Sequence, residues 1–401
     1  MPIQLTARPA DVCFTKNPMR FIFFYSLMQP AWKLQLQVVE PSNPNLVRAE
    51  VQYPFGATSG ILNVYLENIM DALVSYSYPS NVTAPLIQEL ASSRRELLLR
   101  WRPVYPGSNA AWQSDTQNHV IVKGGMGDIS PNLEWMVNNH GLPFNAARFY
   151  PSASHRYLTW LPNNRNITPG EYGWLLYMSD ISNNDQILQY VVTYKNFTSA
   201  AINVNFPGYG GSTSFKYKTF YLPFGINQCN LDPTNLGVIY YEVRVIRPAG
   251  PVVLSQINFY PDYRPYYDTM TIHYRNSMGG VDHIRLRGEI EQGASFERKD
   301  YEQAVTVSVS PIFGRNPYYE SKMRLSWKGN TGYISKEHAT AILDLLNSTD
   351  MAILFNSQWL PLRIKNKDAV YRSTKNRLNN FTIEFETAGT FTSLPRQITQ
   401  M

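Results

Sequence analysis

Two-residue alternation of apolar and polar side chains is the dominant pattern of this chain, and it predicts strands. From Tyr274 to Gln292 two alternating runs flank Gly279 and Gly280. Ile284, Leu286 and Ile290 take one face, while Arg285, Arg287, Glu289 and Glu291 take the other, as in a ribbon with one wet side. Leu34, Leu36 and Val38 likewise share a face of Lys33–Val39, and further runs occur at Val47–Tyr53 and Glu96–Arg102. The intervening cluster Pro41-Ser-Asn-Pro-Asn45 predicts a loop. Strands are also predicted at Tyr157–Trp160, Trp174–Met178, Leu188–Tyr194 and Val238–Ile246. In the last third, Met323, Leu325 and Trp327 alternate with Lys322, Arg324 and Ser326, and strands follow at Met351–Phe355, Leu360–Lys365 and Asn380–Thr387.

Helical spacing is scarce. Ser335 suits the N-cap of a helix through Leu346, with Ala339, Ile342, Leu343 and Leu346 as its apolar stripe. Shorter helical turns are expected at Leu66–Leu73 and Pro85–Ala91. Together these elements predict a mainly β protein made of several sandwich-like or barrel-like modules. The 401 residues exceed the ~250 to 300 at which one core stops growing, so several domains are expected. The pattern divides into 1–130, a β domain, and 131–265, a second β domain ending in the Pro/Tyr-rich tract Asn258–Asp268. The remainder, 266–401, reads as a β-rich α+β domain with one helix at 335–346.

Composition agrees with strands and long loops: 16% of residues are charged and 13% aromatic, with 27 Tyr and 27 Pro. The net charge of +6 is spread among acidic residues, unlike the concentrated footprint of a nucleic-acid binder, so no specific nucleic-acid contact is expected. Cys13 and Cys229 lie outside any metal-binding spacing and read as buried thiols. The first residues lack a basic stretch followed by an apolar run, and Phe21–Met28 is far short of the ~20 apolar residues of a membrane helix. The expectation is a chain folded in the cytoplasm, without a membrane span.

Candidate chemistry is thin. Lys123–Gly127 and Gly208–Ser214 are glycine-rich but lack phosphate-loop spacing. The six histidines show no ligand spacing, and Asp128 with Glu134, or Asp262 with Asp268, are carboxylate pairs of undetermined separation. No catalytic, metal or cofactor site is expected, and the chain does not read as an enzyme. Tyr263, Tyr266 and Tyr267 could stack on sugars or pack a linker against a domain. Arg363, Lys365, Lys367, Arg372, Lys375 and Arg377 form the densest basic run, either a contact for an acidic partner or a solvated hairpin facing Glu384 and Glu386.

Three ordered stretches carry a family resemblance. Ala10-Asp-Val-Cys-Phe-Thr-Lys-Asn-Pro-Met-Arg-Phe21 resembles the opening of tail-tip or baseplate-type virion proteins of Bacteroidetes tailed phages and prophages. Val120-Ile-Val-Lys-Gly-Gly-Met-Gly127, followed by Arg156-Tyr-Leu-Thr-Trp-Leu-Pro162, is similar to their next segment, and Arg275–Arg287 to their C-terminal part. Residues 180–255 have no share in it. The resemblance implies a structural protein of a phage tail, assembled in the host cytoplasm into the virion, contacting other tail proteins and oligomerising around the tail axis. On that reading Arg285, Arg287, Glu289 and Glu291 are candidates for a subunit interface. A receptor-binding or glycan-binding surface module is the alternative.

Overall fold

Alternating side chains become strands nearly everywhere the pattern is strong: strands account for 57% of the described residues and helices for 5%, a mainly β fold of several sheets. The computed structural model describes residues 3–9, 12–16, 19–26, 31–55, 60–80, 86–124, 157–159, 161–179, 185–211, 214–248, 252–266, 269–300, 318–355, 358–365 and 380–389. The chain forms two compact units. One comprises Met1–Asp262 with Asn276–Val281, and the other Tyr263–Arg275 with Asp282–Met401. The boundary foreseen at 130/131 lies outside the described residues.

Among its described residues the first unit shows two cores. In the N-terminal one, a three-stranded sheet (Gln4–Ala7, Arg20–Tyr25, Gly60–Tyr65) accompanies a seven-stranded sheet. The main path of the larger sheet runs Val12–Phe14, His119–Val122, Arg94–Tyr105, Lys33–Glu40, Asn43–Pro54. Leu34, Leu36 and Val38 are buried, as their alternation predicts, and pack with Phe21, Phe23, Leu97 and Leu99. Gln35 and Gln37 are buried as well, because Arg102 and Arg100 donate to their amide oxygens (2.7 Å each) while their amide nitrogens bond Glu50. Those two amide donors hold the Glu50 carboxyl below its ordinary range. The loop expected over Pro41–Asn45 shrinks to a tight turn, since Asn43 already pairs with Glu40.

The second core joins a five-stranded sheet (Asn164–Ile167, Val252–Pro261, Val238–Arg247, Ile187–Tyr194, Ser199–Asn205) and a three-stranded one (Trp174–Met178, Thr219–Pro223, Gln88–Glu89). Three expectations change here. The helical turn foreseen at Pro85–Ala91 gives way to the short strand Gln88–Glu89, paired with Tyr221 and Phe220, and a 3-10 turn at Ala91–Ser93. The Pro/Tyr tract is paired up to Pro261, which lies opposite Ile167 in a parallel ladder; a proline costs little at a strand end where no donor is required. The strand foreseen at Tyr157–Trp160 is reduced to one bridge between Tyr157 and Tyr177, with Trp160 outside the described residues.

Cys13 and Cys229 are buried thiols. The Cys229 thiol donates to the Tyr190 hydroxyl (3.4 Å), and burial pushes its pKa up to about 12.

The second unit is built on a seven-stranded sheet in the order Val281–Leu286, Met270–Arg275, Met351–Phe355, Gln358–Ile364, Thr382–Thr387, Tyr318–Asn330, Ile290–Asp300. Its first and last strands are separated in sequence by only residues 287–289, so the sheet has to curl, and it forms a half-barrel. Arg287 N and Gly288 N both donate to Asn330 O across the gap. The helix Lys336–Leu346 starts where foreseen, with the Ser335 hydroxyl accepting from His338 N. Its buried side is rotated from the expected stripe: Ile342 and Leu345 are buried while Leu343 is 38% exposed. Met323, Leu325, Trp327, Leu362, Ile383 and Phe385 complete this core.

Candidate interface strand

The residues singled out for assembly separate in the structure. Arg285 donates to Thr269 Oγ1 (2.8 Å), and the Arg287 guanidinium sits 5.7 Å from the Tyr266 ring centroid, so both help hold the start of the second unit. Glu289 is exposed on the connection. Glu291 is 64% exposed and 3.9 Å from Lys328 Nζ, an ion pair of the weak, solvated kind. Ile284 and Ile290 pack against the same core as Leu286, which supports the facial segregation of the ribbon. Ile290 and Glu291, however, open a new strand at the other rim of the sheet, and alternation alone carries no signal of that change of partner.

That strand, Ile290–Asp300, is the least covered long element of the described chain. All nine residues from Glu291 to Lys299 are exposed. One side of the strand pairs antiparallel with Tyr318–Asn330, from Ile290 opposite Gly329 to Asp300 opposite Tyr318. Among the described residues no strand pairs with its other side. Opposed residues of an antiparallel pair share a face, so Gln292, Ala294 and Phe296 lie on the face of their buried opposites Trp327, Leu325 and Met323. Phe296 extends this apolar face to the rim, where it is 56% exposed. Glu291, Glu297 and Lys299 share the opposite, polar face.

The basic run resolves in part. Arg363 lies opposite Glu386 and forms an ion pair with it, and Lys365 Nζ is 3.9 Å from the same carboxylate. Lys328 also reaches Glu384 (4.0 Å). Basic and acidic strands therefore pair across the sheet, the hairpin reading of that segment. Lys367, Arg372, Lys375 and Arg377 lie outside the described residues.

The tyrosine segment is likewise divided. Tyr263 is 46% exposed, Tyr266 is half-buried with the guanidinium groups of Arg264 and Arg287 each 5.7 Å from its ring, and Tyr267 lies outside the described residues.

Among the other candidates, Lys123 Nζ is held by Asp71 Oδ2 (2.7 Å), whose other oxygen accepts from Thr15 Oγ1 (2.6 Å). Gly124, at φ +134°, has no room for a Cβ, which would lie 2.7 Å from Gly279 N. A lysine bonded to a carboxylate in a packed turn is not presented to a phosphate. Asp128, Glu134, Asp268, His140 and His155 lie outside the described residues.

Sequence reasoning did not single out the buried pair Asp115 and His119, which the exposed Arg8 joins from the surface. His119 Nε2 is 3.0 Å from Asp115 Oδ2, and Arg8 pairs with the other oxygen. Burial acts to raise the Asp115 pKa, but the hydrogen bond and charge of His119, reinforced by Arg8, outweigh it and hold the carboxyl below its ordinary range. The i, i+4 spacing of Asp115 and His119 is the only trace of this cluster in the sequence.

Among the described residues no group of three or more His, Cys, Asp or Glu could hold a metal ion, and no helix is long and apolar enough to cross a membrane. Compared with known proteins, the chain matches no family model and no curated sequence.

Proposed function

We propose that this chain is a structural protein of a tailed-phage virion, a tail-tip, baseplate or adsorption-apparatus component that oligomerises around the tail axis. The observation that carries the reading is the strand Ile290–Asp300, nine consecutive residues of which are exposed beside a rim unpaired among the described residues. Proteins that stay monomeric shorten, cover or bulge such an edge, because its free N–H and C=O groups invite another strand. A long uncovered edge suits a protein that is finished by assembly. The kind of assembly comes from the ordered resemblance of Ala10–Phe21, Val120–Gly127 with Arg156–Pro162, and Arg275–Arg287 to tail proteins. Mass spectrometry and antibody-labelled electron microscopy of particles from a host encoding this chain test the reading. Several copies per particle, labelled at one end of the tail, are expected; particles that lack the chain would overturn it.

A second reading, a surface module that binds a host receptor or glycan, is favoured by one observation. Tyr263 exposes its ring in the same segment in which the Arg264 guanidinium lies 5.7 Å from the Tyr266 ring, aromatic and cationic groups of the kind that suit a sugar. Binding on a glycan array that is lost in Tyr263→Ala and Tyr266→Ala would support it. No binding to any host surface polysaccharide rejects it.

A further inference from the structure

We infer that the edge of Ile290–Asp300 beside which no described strand lies pairs antiparallel with the same strand of a second copy of this chain, in a register centred on Ser295. The inference rests on the reading of this strand as an assembly surface and names its partner; a two-fold pair is closed, so assembly around the tail axis joins such dimers through a second surface.

The strand's own residues select the register. A two-fold axis normal to the sheet requires one residue to face its own copy, so only single-residue centres are allowed. Centring on Ala294 sets Glu291 against Glu297, and centring on Glu297 sets that carboxylate against itself. Centring on Gly293 opposes Glu289 to Glu297, and centring on Phe296 creates no opposite-charge pair among 291–299. Centring on Ser295 instead opposes Glu291 to Lys299 twice on the polar face, and Gln292 to Arg298 twice on the other. It also places Phe296 opposite Ala294 and diagonal to the second Phe296, within reach for aromatic side chains. The ring that continues the inner apolar face to the rim would then be covered by its symmetry mate. One arrangement thus supplies backbone partners to the edge, charge complementarity to one face and cover to an exposed aromatic.

The experiment uses the full chain. Sedimentation velocity over a concentration series should show a monomer–dimer equilibrium. Glu291→Lys alone and Lys299→Glu alone should each weaken dimerisation about tenfold, since each sets like charges opposite one another twice, and the double exchange should restore it. Ser295→Cys should cross-link under mild oxidant, because directly opposed residues lie ~4.5–5.5 Å apart at Cα, inside the range a disulfide spans. Ala294→Cys should not, and the native thiols are buried and do not compete. A monomer at every concentration overturns the inference. So does a dimer indifferent to the charge exchanges, or one that Ser295→Cys does not trap. The two readings fail separately: a monomer in solution that is still found in particles overturns edge pairing alone, whereas a trapped dimer absent from particles overturns the virion assignment alone.

Discussion

The aromatic core of the first unit and the rim strand of the second treat polar groups in opposite ways. In the core, buried tyrosines turn their hydroxyls onto backbone carbonyls: Tyr157 donates to Val243 O (3.1 Å), Tyr190 to Pro223 O (2.7 Å), Tyr194 to Leu231 O (3.0 Å) and Tyr241 to Phe224 O (2.6 Å). Each ring fills apolar volume while its hydroxyl ties one segment to another, so none of these four hydroxyls is left unpaired away from water. Burial accordingly raises the Tyr157 and Tyr190 pKa values well above the ordinary phenol range. On Ile290–Asp300, by contrast, side chains are exposed and one edge has no strand beside it among the described residues. The difference teaches that tyrosine abundance here serves the interior. The exposed stretch Glu291–Lys299 holds no tyrosine.

Mutations break this comparison most strongly on the core side. Tyr241→Ala removes a fully buried ring stacked on Phe259, and should cost about 3–5 kcal/mol in urea unfolding. Tyr241→Phe and Tyr190→Phe keep the ring but strand a carbonyl; about 1–3 kcal/mol each is expected from the same measurement. A loss no larger than that of an exposed tyrosine would show that the hydroxyl bonds add nothing to packing.

Asp115 sharpens the contrast through pH. Its folded-state pKa is lowered, so its contribution is complete above the ordinary carboxylate range and is lost as pH falls through the folded value. Asp115→Asn should therefore be less stable than the parent near pH 6, by about 1–3 kcal/mol, with the gap closing towards about pH 2. A gap constant with pH would refute the carboxylate's role. On the rim, Phe296→Ser and Glu291→Ala should change the stability of the monomer by no more than about 0.5 kcal/mol, measured below the dimerisation range. A larger loss would mean that the strand is structural in the monomer.

Much of the fold was legible. Leu34, Leu36 and Val38, the Met323–Trp327 alternation and the Ser335 cap all follow from local pattern, and local pattern is what a strand or a helix end requires. The site was less so. Arg285 and Arg287 look like outward charges, yet Thr269 and Tyr266 engage them, contacts across about twenty residues that alternation does not encode. Leu343 and Leu345 exchanged places between solvent and core because the sheet beneath the helix selects the buried side from a broad apolar surface.

Period-two alternation determined by itself that the chain is β-rich and which side of each strand is wet, since both are properties of consecutive residues. Tertiary structure alone decided which strands meet. Gln88–Glu89 pairs with a segment about 130 residues away, Val12–Phe14 with His119–Val122, and Ile290–Asp300 falls at the end of its sheet. Backbone N–H and C=O groups are the same in every strand, so their pairing is set by long-range packing and loop closure, and which strand is left at the rim is decided only once the others have found their places.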